Sequence, residues 1–205
     1  MKPFLRAVLV LAALGAGTAV AGYLLLVRHG FSSREMPSPA EEWLARGMRR
    51  MATPASVRNA SNPAGATALS LARARAHFAD HCALCHGNDG KGQTSLGRNM
   101  YPKAPDMTAA ATQSLSDGEV FAIIENGIRL TGMPAFGSPS PADDAETWEL
   151  VHFIRHLPKI TAHEVAEMEA LNPKSPKEYE EEEQIRRFLA GEGVGPSSGS
   201  ASHDH

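Results

Sequence analysis

The chain has two cysteines, and both lie in Cys82-Ala83-Leu84-Cys85-His86. C-x-x-C-H is the pattern of c-type haem attachment. Two thiols three positions apart can each add to one vinyl group of a haem. The histidine that follows is then held beneath the iron and can bind it through a ring nitrogen. A thiol redox pair of the same spacing wants a βαβ setting. A zinc site wants a second pair of ligands at its own spacing. The sequence offers neither, so haem attachment is the expected chemistry, with His86 as the first axial ligand.

A second axial ligand is sought downstream, at Gly132-Met133-Pro134. Thioether sulfur is a soft ligand, and a Met opposite a His raises the potential of a haem. Glycine and proline on either side keep this methionine out of a regular helix. The chain has eight methionines, and Met100 and Met107 are rivals, because buried Met more often fills gaps in a core. Met133 is the expected ligand.

Cys82-Ala83-Leu84-Cys85-His86-Gly87, then Gly90-Lys91-Gly92, then Gly132-Met133-Pro134-Ala135-Phe136 together resemble a class I monohaem cytochrome c of the membrane-anchored bacterial sort. The resemblance spans about residues 67–160. It implies an all-α fold around one covalently bound haem c, single-electron transfer, and His86 and Met133 as iron ligands. It further implies that Arg98 and Tyr101 hydrogen-bond haem propionates. A carbonyl of the 101–107 loop, Pro105 or Pro102, would accept the His86 ring N–H and fix the ring.

Helices must position these groups. Thr67 to Cys82 has apolar residues at helical spacing, Leu71, Ala74 and Phe78, and leads into the haem motif. Ser116 and Glu119 make a capping box for a helix with Val120, Ile123, Ile124 and Ile128 on its apolar face. Glu146 to Leu157 carries Trp148, Val151, Ile154 and Leu157 as a stripe, and Pro158 marks its end. The first and last of these helices are expected to cross near Ala74 and Val151. His152 and His156 share a helix face, but two histidines without a third ligand read as a solvated face. Gly87 to Gly92 lacks the strand and the Lys-Ser/Thr ending of a phosphate loop; its glycines are expected to let backbone pass close to the haem edge.

The flanks divide the rest. Ala7 to Val27 is uncharged and mostly apolar, and about 20 such residues span a bilayer. Residues 1–30 are therefore expected to be a membrane anchor. A cleaved signal peptide, with Ala19-Val20-Ala21 as its cleavage site, is the alternative. Residues 31–66 hold four prolines and read as a tether with one short amphipathic helix from Pro39 to Met51, capped by Ser38. Residues 67–160 are the expected haem domain. Residues 161–205 read as a helical and acidic extension with a Gly/Ser-rich end. Its terminal His203-Asp204-His205 is at most a weak metal site.

Composition excludes little else. A net charge of −3 gives no basis for nucleic-acid binding. The expected protein is a one-electron carrier on the outer side of the cytoplasmic membrane. Its partners would be redox proteins or a membrane oxidoreductase complex. Alternatives are a subunit of that complex, or a haem enzyme or gas sensor with an open iron.

Overall fold

The computed structural model describes residues 2–30, 32–138 and 141–191. The expected His203-Asp204-His205 site lies outside the described residues. Among the described residues the fold is all-helical, with no strand.

Helix α1 (Lys2–His29) holds an apolar stretch, Pro3–Leu25, long enough to cross a membrane, and none of it is buried in the protein. Helix α2 (Pro39–Ala52) begins where the sequence places it. Ser38 accepts the Glu41 N–H, Glu41 returns the bond to the Ser38 N–H, and Pro39 occupies the first turn.

The haem-motif region is built on α4 (Ala68–His77) and α9 (Pro141–His156). Ala74 and Val151 are both buried in one core with Phe78, Phe153, Ile154 and Leu157. The Phe78 and Phe153 rings pack with centroids 5.1 Å apart. Arg73 on α4 is paired to Glu149 on α9. Helix α8 (Asp117–Asn126), capped by Ser116 and Glu119, adds Val120 and Ile124 to that core. Phe121 stacks on Trp148 across the α8–α9 contact, at 4.2 Å. Helix α9 buries a wider arc than its stripe predicts, including Leu150 and Phe153, because helices pack on it from more than one side.

Both expected boundaries of the domain are crossed by packing. The Pro-rich segment ends in a short helix, α3 (Ala55–Arg58), which lies on α8. Gly118 leaves no room for a Cβ there, because the Val57 carbonyl occupies the space. The Ser116 hydroxyl donates to the Arg58 carbonyl at 2.6 Å, and Asn62 donates to the Trp148 carbonyl at 2.8 Å. Past residue 160, α10 (Ala162–Glu169) is capped by Thr161 and Glu164. It sinks Met168 completely into the same core. The packed unit thus runs beyond residues 67–160 at both ends. The last helix, α11 (Pro176–Leu189), buries none of its residues.

Candidate functional site

The residues of the haem motif sit on a change of helical pitch. After α4 the chain makes one wide π-turn, Phe78–Cys82. There the Ala83 N–H reaches back to the Phe78 carbonyl, five residues away. Such widened turns concentrate at functional sites. A single helical turn, α5 (Ala83–His86), follows, and Gly87 ends it at φ +73°. Cys82, Cys85 and His86 therefore share about one and a half turns. Both thiols are free.

Burial, with a smaller push from Cys85, raises the Cys82 thiol to about 12, and burial raises Cys85 as well. Both side chains are therefore held as neutral thiols by the fold.

His86 is oriented from the loop that follows. Burial pushes its imidazole below the ordinary value, while the Pro105 carbonyl pulls the other way. The enclosed Nδ1 has no hydrogen-bond partner. A neutral imidazole is the form that ligates a metal. With two free thiols on the same turn, the chemistry of the set fits a covalently held haem.

The glycine-rich turn packs closely against the loop that follows. Gly92, at φ +68°, lies against the Ala104 carbonyl, where a Cβ would collide. The Gly92 N–H donates to the His86 carbonyl at 2.7 Å, and the Met107 N–H donates to the Gly90 carbonyl at 2.8 Å. The close approach is thus between the 87–92 turn and the 104–107 strip that carries Pro105. Gly97, in α6 (Ser95–Asn99), has the same role, since a Cβ there would meet the Cys85 carbonyl.

The Met133 segment is pinned to the end of α8. Gly127 turns the chain at φ +62°, and a Cβ on it would lie 2.6 Å from the Pro134 carbonyl carbon. The Ile128 N–H donates to the Met133 carbonyl at 3.1 Å, and the Phe136 N–H donates to the Ile124 carbonyl at 3.0 Å. The Met133 side chain is half-buried. Of its rivals, Met107 is buried in the core, whereas the Met100 sulfur rests against Gly132.

Arg98 and Tyr101 are engaged with protein groups. Arg98 donates to the Gln93 carbonyl at 2.8 Å. The Tyr101 hydroxyl donates to Glu41 of α2 at 3.0 Å. The latter contact joins residues 60 positions apart, and nothing in the spacing signals it. His152 and His156 are each engaged with a protein group. His152 Nε2 bonds the Ala64 carbonyl at 2.7 Å, and His156 Nε2 bonds Glu164 at 2.8 Å.

Residues 70–154 match the family model described as Cytochrome C oxidase, cbb3-type, subunit III. No curated protein matches the chain. The matched stretch contains Cys82, Cys85, His86, Met133 and the 98–107 loop, and leaves out α1, α2 and everything after α9.

Proposed function

We propose, from the premise that residues 70–154 are a monohaem c-type cytochrome domain with covalently bound haem c, that this chain carries single electrons for a membrane redox system. When bound, the haem supplies a one-electron couple. Cys82 and Cys85 would hold it through thioether bonds. His86 would bind the iron, with the Pro105 carbonyl steering the ring. Met133, on the loop clamped to α8, would be the second ligand.

The observation that carries the reading is the placement of His86. Its ring is half-buried, its Nδ1 is enclosed by protein and has no hydrogen-bond partner, and it shares a turn with two free thiols. The turn after His86 is tied to the His86 carbonyl, and the Met133 loop is tied to α8, by backbone hydrogen bonds. Fixed ligands mean that little rearranges when the iron changes charge, which suits rapid transfer.

Helix α1 would anchor the domain in the cytoplasmic membrane, with the domain on its outer side. The partner would be a redox protein or a terminal oxidase complex, the class named by the matched family. Tyr101 would donate to a propionate only by leaving Glu41, whereas Arg98 could reach one with guanidinium donors other than the Nη1 on Gln93. Electrochemical titration of the purified protein tests the carrier reading. One reversible one-electron wave, with six-coordinate low-spin spectra in both states, is expected. A five-coordinate high-spin iron that binds peroxide or a small gas would replace the carrier with a haem enzyme or sensor.

A further inference from the structure

Helix α2 lies on the domain the wrong way round for a soluble protein. The α2 residues that are not fully exposed include Glu42 and Arg49, which share a face. Burial lowers the Arg49 pKa, and the charge of Glu119 on α8 pulls it the other way. The Tyr101 hydroxyl holds Glu41, and Arg58 donates to the Arg50 carbonyl at 2.6 Å. The opposite face carries Trp43, Leu44, Met48 and Met51. All four are exposed, Trp43 at 77% and Met51 at 78%. They line an apolar groove of about 480 Å³ with Arg50 and Arg58 on its rim.

An amphipathic helix ordinarily buries its apolar stripe against the core. Here Glu41 and Arg49, on the charged side, are what reaches the domain, and the apolar face is left outward. Only residues 30–38 separate α2 from the apolar helix α1. At about 3.4 Å per residue that link reaches roughly 35 Å at most. Within the link, Lys103 donates to the Arg34 carbonyl at 3.2 Å, which holds it against the domain. Arg46 and Arg50 flank the apolar face on one side. Arg46 is paired with Glu42 at 2.9 Å, so Arg50 and Arg58 are the cations at the groove itself. A tryptophan, aliphatic side chains and flanking arginines form the profile of a helix lying in a bilayer interface.

We infer that α2 lies in the surface of the membrane crossed by α1, with Trp43, Leu44, Met48 and Met51 among the acyl chains and Arg50 and Arg58 at anionic head groups. The inference rests on the reading of α1 as a membrane anchor. It makes α2 a spacer between bilayer and domain, with the 98–103 loop toward the lipid. The haem domain is then held in one orientation instead of swinging on a free tether.

The test uses the full haem-loaded chain in vesicles of phosphatidylcholine and phosphatidylglycerol. These vesicles also contain a phospholipid with a photoactivatable diazirine near the glycerol. After illumination, peptides are mapped by mass spectrometry. Adducts are expected on α1 and on the peptide spanning 43–51, and not on α8. Adducts on α1 with none on 43–51 overturn the inference and leave the anchor standing. Absence of adducts on α1 overturns the anchor and this inference with it. The variant Trp43→Ser/Met48→Ser/Met51→Ser should lose the α2 adducts while keeping the α1 adducts and the melting temperature of the haem domain. A clear drop in that melting temperature would show that the face packs on protein, and would overturn the inference.

Discussion

The Met133 carbonyl accepts the Ile128 backbone N–H at 3.1 Å, and this bond closes the loop that brings Met133 back over the end of α8. The turn depends on Gly127, at φ +62° and pressed against Pro134 and Ala135. Gly127→Ala should therefore displace the loop. A side chain forced into that backbone region costs about 1–3 kcal/mol, before any clash. We expect a lower melting temperature and a partial loss of the sulfur-to-iron absorption band. A variant that keeps both would separate Gly127 from the ligand loop.

Covalent attachment is tested at the thiols. In the Cys82→Ser/Cys85→Ser protein, acid–acetone should extract all haem. Either single variant should retain haem on one thioether and shift the pyridine haemochrome maximum. A double variant that holds its haem against extraction contradicts the assignment.

Met168 ties the C-terminal extension into the core, where it is fully buried. Replacing such a side chain with alanine costs about 2–5 kcal/mol. Met168→Ala should move the denaturant midpoint down accordingly, and removal of residues 161–205 should do at least as much. A chain ending at residue 160 that unfolds at the same midpoint would show the extension to be a passenger.

The same extension carries an acid-sensitive contact. Burial pushes the Glu164 carboxyl up, but the Thr161 N–H and hydroxyl and His156 outweigh it and hold it below its ordinary 4.5. A carboxylate lowered in the folded state stabilises the fold above its unfolded pKa. That contribution is lost as pH falls through the lowered value. Unfolding free energy should thus decline as pH drops below about 4.5, and Glu164→Gln should flatten that limb. An acid limb that is unchanged in Glu164→Gln would assign the loss to other carboxylates.

The haem motif was legible because its chemistry is local: C-x-x-C-H needs one turn of chain. The cap at Ser38 and the capping box at Ser116 were legible for the same reason, being bonds over three residues. Ala74, Phe78 and Val151 followed from periodicity, and all three are buried. Long-range polar contacts escaped. Asn62 on the Trp148 carbonyl and Tyr101 on Glu41 join distant segments by single bonds that leave no periodic trace. Residues 55–66 consequently read as tether, although they pack on α8 and α9. The wide turn at Phe78–Cys82 also escaped, since one extra residue per turn leaves the apolar spacing before it intact. The glycines of the 87–92 turn announced a close approach, but not that Gly92 would lie against the strip carrying Pro105.

The account depends most on Met133. Met100 is the rival that the fold keeps close, with its sulfur against Gly132, while Met107 belongs to the core. The decisive measurement is the oxidised spectrum and midpoint potential of Met133→Ala beside Met100→Ala. A thioether ligand favours reduced iron. Met133→Ala should therefore lose the weak sulfur-to-iron band and fall in potential, while Met100→Ala keeps both close to the parent. A band that survives in Met133→Ala and vanishes in Met100→Ala would move the ligand to the earlier loop and contradict the account.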